Sequence, residues 1–191
     1  MSSKREIRTI RIEDWEGNVY RPEGVGSGGT SGTIVSPSQN DKIETDGTII
    51  TDDGSSGSVI MVQTDPTTEK NIATGYVSDL VFGDYSVAVR LKSSNNTATS
   101  NIVRIRTYYS VEGQTDVLLS TTYITANKFK AANTYQTFVF ITTFKGVVDA
   151  NQRLKIEVTS LPITTSSTIC LDYFTVDMAA GSMLNTVTTL S

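Results

Sequence analysis

Phe82-Gly83-Asp84-Tyr85-Ser86-Val87-Ala88-Val89-Arg90-Leu91 is the stretch that decides the fold class of this 191-residue chain. It opens on a turn and then alternates. Tyr85, Val87, Val89 and Leu91 point one way, and Ser86, Ala88 and Arg90 point the other. A period of two sets one face of a strand against a core. Working outward, strands are predicted over 58–63, 101–110, 116–124, 134–144, 152–160 and 167–177. Turn signals separate them, among them Ser93-Ser94-Asn95-Asn96, Glu112-Gly113, Lys145-Gly146 and Leu161-Pro162. Helical turns are expected only near 126–132 and 178–184. Short, regularly spaced strands of this kind indicate an all-β protein, an antiparallel sandwich or barrel.

The strands differ in their faces. Leu154-Lys155-Ile156-Glu157-Val158 has one polar face, as a solvated sheet does. Over 135–144, Phe138, Phe140 and Phe144 oppose Tyr135, Val139 and Ile141, so both faces carry apolar groups. Ile169, Leu171 and Tyr173 likewise oppose Cys170, Phe174 and Val176. A second apolar face needs a cover: a loop, the N-terminal segment or another copy of the chain. The expectation is another copy, a homo-oligomeric trimer or dimer with Phe138, Phe140 and Phe144 at its interface.

Upstream the character changes. Residues 1–23 read as a docking segment, a hairpin whose Ile7, Ile10, Ile12, Trp15, Val19 and Tyr20 cannot all be buried within so small a unit. Such a hairpin would complete itself on a partner. Residues 24–57 read as a Gly/Ser/Asp-rich linker with short strands, and 58–191 as the main domain. The Gly-rich run lacks the Gly-Lys-Ser/Thr of a phosphate loop, and Asp52-Asp53-Gly54 lacks the ligand pattern of an EF-hand and reads as a turn.

Composition excludes several classes. The net charge is −4 with no histidine, which removes imidazole catalysis, Ser-His-Asp and Cys-His triads and His-containing zinc sites. The acidic balance argues against nucleic acid as a partner, and no apolar run reaches the length of a membrane span. Residues 1–8 lack the apolar core of a signal peptide. The lone Cys170 has no intrachain partner and is expected to be a small buried hydrophobe. Asp79, Asp84, Asp149 and Asp172 sit beside turns or strand ends, which gives no recognisable carboxylate pair, and no catalytic residue is assigned.

The stretch from Gly83 to Lys92 resembles the early strand of galactose-binding-like jelly rolls, where a Gly-x-Tyr turn precedes an alternating strand bearing an Arg. Ile169-Cys170-Leu171-Asp172-Tyr173-Phe174-Thr175-Val176 resembles their closing strand, and Thr134-Tyr135-Gln136-Thr137-Phe138 a middle one. Carbohydrate-binding modules of families 6 and 35 are the nearest such members. The resemblance implies a jelly-roll β-sandwich and, where a structural calcium is present, Asp172 as a ligand; no other cofactor is implied. It also implies sugar contact through exposed aromatics, for which Tyr76, Tyr108, Tyr109 and Tyr123 are the candidates. The arrangement of docking segment, linker and Ser/Thr/Asn-rich sandwich is similar to that of tailed-bacteriophage appendage proteins, head fibres and decoration proteins.

Arg104, Arg106 and Tyr108 alternate in one strand and share its outward face, with Arg90 a further candidate beside them. Such a cluster would take an acidic sugar or a phosphate, or would pair with Glu157 and Asp116 on neighbouring strands. The leading expectation is a structural virion appendage, assembled in the host cytoplasm, docked on a capsid or tail protein and in reach of host glycans. The alternative is a non-catalytic carbohydrate-binding module of a secreted system.

Overall fold

The computed structural model describes residues 33–35 (as backbone), 43–78, 80–146 and 151–179. Ten strands occur there: β1 (Thr33–Val35), β2 (Thr48–Thr51), β3 (Ser58–Gln63), β4 (Lys70–Val77), β5 (Gly83–Ser93), β6 (Asn101–Val111), β7 (Val117–Thr125), β8 (Gln136–Phe144), β9 (Gln152–Ser160) and β10 (Thr168–Met178). They form two antiparallel sheets. One has the order β2-β3-β10-β5-β8 with β1 also on β10, and the other has the order β4-β9-β6-β7. From β3 onward the chain crosses from one sheet to the other at most connections; only the β6–β7 hairpin stays within a sheet. This is the double Greek-key weave of a jelly roll. The expected all-β sandwich is therefore the observed one.

β5 behaves as its alternation requires. Tyr85, Val87, Val89 and Leu91 are fully buried, and they join Ile60, Ile72, Leu80, Ile102, Ile105, Leu154, Ile156, Phe144 and Phe174 in one core between the sheets. Each such side chain contributes about 1.5–3 kcal/mol by leaving water. The Tyr85 hydroxyl is satisfied inside this core, donating to the Val81 carbonyl at 3.0 Å and accepting from the Val81 N–H at 3.1 Å. That pair of bonds fixes the turn through Phe82 and Gly83.

Two sequence expectations are corrected by packing. In β8, Phe138 and Phe140 pack against the chain's own core and Phe144 is fully buried, so these three do not form an outward interface. The outward apolar pair is instead Val139 and Ile141, 63% and 55% exposed. The register explains this: Phe138 and Phe140 stand opposite Val89 and Val87, both inward residues of β5.

The apparent two-sidedness of β10 is a bulge. Leu171 pairs with Leu91 and Tyr173 with Arg90, so Asp172 is the extra residue. One inserted residue inverts the parity beyond it. Ile169, Leu171, Phe174 and Val176 consequently all face one core.

Within 24–57, read as a linker with short strands, two strands occur among the described residues. β1 pairs with β10, and β2 pairs with β3. Residues 1–32, which include the docking candidates Ile7, Ile10, Ile12, Trp15, Val19 and Tyr20, lie outside the described residues. Of the helical expectations, the one near 126–132 is a short 3-10 turn, Ala126–Lys128; Met178 ends β10, and residues 180–184 lie outside the described residues.

Candidate functional site

The outer face of the four-stranded sheet gathers the chain's candidate ligand residues. β9 projects Arg153, Lys155, Glu157 and Thr159 outward, because Leu154, Ile156 and Val158 are buried. β6 projects Arg104, Arg106 and Tyr108 beside them. The register sets Tyr108 against Lys155, Arg106 against Glu157 and Arg104 against Thr159. β4 adds Tyr76 on the other side of Lys155, and β7 adds Leu118 beside Tyr108 and Tyr123 beside Arg104. One row across all four strands therefore reads Tyr76, Lys155, Tyr108, Leu118. Leu118 and Tyr123 are each 53% exposed.

The groups in this face interlock. The Arg106 guanidinium donates to the Tyr108 hydroxyl at 3.1 Å and lies 3.6 Å from Glu157. Lys155 donates to Asp116 at 2.9 Å, and its ammonium sits 5.1 Å from the Tyr108 ring centroid. Arg153 lies over the Tyr76 ring at 4.8 Å. Arg104 grips Glu69 with both guanidinium nitrogens, at 2.8 and 2.6 Å. That bidentate bond holds the Glu69 carboxyl below its ordinary value. Burial pulls Asp116 up, but hydrogen bonds from Lys155 and Ser110 outweigh it and the net shift is downward. Burial likewise pulls Lys155 down, while Asp116 carries it net upward.

Arg104, Arg106 and Tyr108 thus share one face, as their spacing predicts, and the pairing of Arg106 with Glu157 is also present. Arg90 does not join them; it belongs to β5 in the opposite sheet. Tyr109 turns inward against Phe144, with ring centroids 5.7 Å apart. Sequence reasoning missed Arg153 and Lys155 as site residues, although the alternation of β9 carried them. It also missed β4, the strand that brings Tyr76 into the row.

Part of the opposite outer face, over β10 and β5, is closed. The loop 52–57, between β2 and β3, lies across it as a strap. The Asp52 carboxylate accepts from the Tyr135 hydroxyl at 2.5 Å and from Lys92. Ser56 donates its N–H and its hydroxyl to Asp172, the latter at 2.7 Å. Arg90 binds Asp172 and also donates to the Gly54 carbonyl at 3.0 Å. The Arg90 guanidinium stacks on Tyr135 at 4.8 Å. Cys170, beside Lys92 in register, is buried, and burial pushes its thiol up.

This arrangement does not fit the implied calcium at Asp172. Both of its carboxylate oxygens are engaged by Ser56 and Arg90, and a guanidinium takes the place of a cation. Among the described residues, no group of three or more Asp, Glu, Cys or His side chains converges. Of the other carboxylates noted in the sequence, Asp84 accepts from Thr143 at 2.6 Å; Asp79 and Asp149 lie outside the described residues.

No family model matches the chain, and no curated protein does. Solved structures similar to it include a family 4 carbohydrate-binding module, at 14% identity and TM-score 0.45, covering 71% of this chain and 91% of that one. A second is a family 36 domain of a multidomain xylanase from the hindgut metagenome of Trinervitermes trinervoides, at 12% identity and TM-score 0.45, covering 78% and 98%. A third is the family 11 module of the cellulosomal cellulase Lic26A-Cel5E of Clostridium thermocellum, at 14% identity and TM-score 0.44, covering 82% and 91%. Likeness at this level carries no argument about ligand or site.

Proposed function

We propose that this chain is a non-catalytic glycan-binding module whose ligand lies across the outer face of the four-stranded sheet. The observation that carries the reading is the row Tyr76, Lys155, Tyr108, Leu118, with Arg106 and Glu157 in the row beside it. A sugar ring has an apolar C–H face and an edge of hydroxyls. Tyrosine offers a flat apolar body with a polar tip. Arginine and lysine donate to hydroxyl oxygens, and a carboxylate accepts from hydroxyl protons. This face holds all of these within two adjacent rows, on strands that fix their spacing. In this reading Tyr76, Tyr108 and Tyr123 contact the sugar faces, and Arg106, Lys155 and Glu157 take the hydroxyls.

The test is a polysaccharide and oligosaccharide binding panel run on the wild-type chain and on Tyr108→Ala. The reading expects binding by the wild type and a loss of about tenfold, or 1.4 kcal/mol, in the variant. Binding that is unchanged in Tyr108→Ala contradicts it.

The virion-appendage reading keeps one supporting observation, the exposed neighbours Val139 and Ile141 on β8. A homo-oligomer displayed on a particle would cover them. Light scattering on the full chain and on Val139→Asp tests this: an oligomer that dissociates in the variant supports the appendage, and a monomer in both opposes it.

A further inference from the structure

We propose that the ligand of this face is an anionic glycan, one bearing uronate carboxylates or sulfate esters. The proposal rests on the glycan-binding reading and adds the charge class.

The two central strands carry its basis. β6 and β9 project Arg104, Arg106, Arg153 and Lys155 outward, against a single carboxylate, Glu157. Glu69 and Asp116 reach in from flanking loops, which leaves four cations against three carboxylates, a local excess of one positive charge on a chain of net −4. The excess is therefore a property of this face and not of the chain.

The partners identify where the excess sits. Arg104 is committed to Glu69, Arg106 faces Glu157, and Lys155 holds Asp116. Among the described residues, Arg153 has no carboxylate within ion-pair distance, although its charge helps to lower the Asp116 carboxyl, and its Nε, like that of Arg104, is a buried donor without an acceptor. Its direct contact is the stack on Tyr76. An unsatisfied buried donor is a cost that an incoming acceptor would relieve. A carboxylate or sulfate binding the guanidinium fork would supply two charge-assisted bonds.

The rings point the same way. Tyr76 and Tyr108 are already approached by Arg153 and Lys155. A neutral sugar stacking on those rings from the cation side would have to displace a charge and offers it only uncharged hydroxyl acceptors in return. An acidic sugar gives the displaced cation a partner. Arg153 and Lys155 flank the same end of the face, about two residues apart on one strand, or about 7 Å. That spacing suits two anionic groups, or one anionic group held between both side chains.

The experiment is affinity electrophoresis and calorimetry with polygalacturonate, alginate, hyaluronate and chondroitin sulfate, set beside neutral xylan, cellulose oligosaccharides and mixed-linked glucan. It is run at low salt and at about 0.5 M sodium chloride, where the screening length falls to a few ångströms. The proposal expects at least one acidic polymer to bind, with a loss of about tenfold or more at high salt. It also expects Arg153→Gln and Lys155→Gln each to weaken that binding by about fivefold or more, with unchanged thermal unfolding. Binding to neutral polymers alone, or to an acidic polymer without salt dependence, overturns the charge class while the glycan reading stands. Binding to none of the polymers overturns both. The wild-type salt series decides the matter even if either variant fails to fold.

Discussion

The two outer faces of this sandwich are built from the same residue types and are completed differently. On the larger sheet, Arg90, Lys92, Tyr135, Asp52 and Asp172 close on one another beneath the strap 52–57. On the smaller sheet, Arg106, Arg153, Lys155, Tyr76 and Tyr108 stand along open strands. What separates them is Asp172, since Asp52 on that same face keeps 20% of its side chain exposed. Asp172 is fully buried with its acceptors used, whereas Glu157 and Asp116 keep 21% and 27% of their side chains exposed. A buried and satisfied polar cluster specifies structure. A partly exposed one, with a spare cation, remains free to meet a ligand. A list of basic and aromatic residues in the sequence does not separate the two; their partners do.

The comparison breaks most sharply in stability. Phe140→Asp puts a charge against the core and is expected to unfold the domain, whereas Val139→Asp next to it changes stability by about 0.5 kcal/mol or less. Urea titrations followed by circular dichroism read both. On the closed face, Asp172→Ala removes one member of a buried pair and should cost about 3 kcal/mol. Tyr108→Ala on the open face should cost less than about 1 kcal/mol of stability while weakening glycan binding about tenfold. If the two variants exchange these outcomes, the assignment of structural and binding faces is reversed.

Smaller effects sharpen the picture. Gly113, in the hairpin between β6 and β7, has φ +77° with nothing within 4 Å of an added Cβ. Gly113→Ala should therefore lose only the left-handed backbone cost, about 1 kcal/mol, and shift binding little.

Acid should also loosen the strap. Burial raises Asp52, but Lys92 and Tyr135 hydrogen bonds and the Lys92 charge bring its carboxyl net below the ordinary 3.8. A depressed folded value gives stability that is complete above that ordinary value and is lost as pH falls through the folded one. The urea midpoint should thus fall in acid below about pH 4, with a shallower fall in Asp52→Asn.

How much of this was legible follows from distance along the chain. β5 was readable because its alternation is unbroken from Tyr85 to Leu91. β10 misled because the bulge at Asp172 reverses parity, and nothing local announces it. β4 escaped because Ala73 and Gly75 fill its inward positions with small groups, and a register shift between Asn71 and Ala73 breaks its period. The proposed ligand face was half legible: Arg104, Arg106 and Tyr108 share a strand, but Tyr76 and Lys155 reach them only through pairing. The strap was illegible, since Asp52 meets Lys92 and Tyr135 across 40 and 83 positions of sequence.

The most direct test of the central claim is to map amide chemical shifts on isotope-labelled protein as a bound oligosaccharide is titrated in. The account predicts movement at Tyr76, Tyr108, Lys155 and their strand neighbours, with Arg90, Tyr135 and Tyr173 unmoved. Shifts confined to the strap face would contradict it.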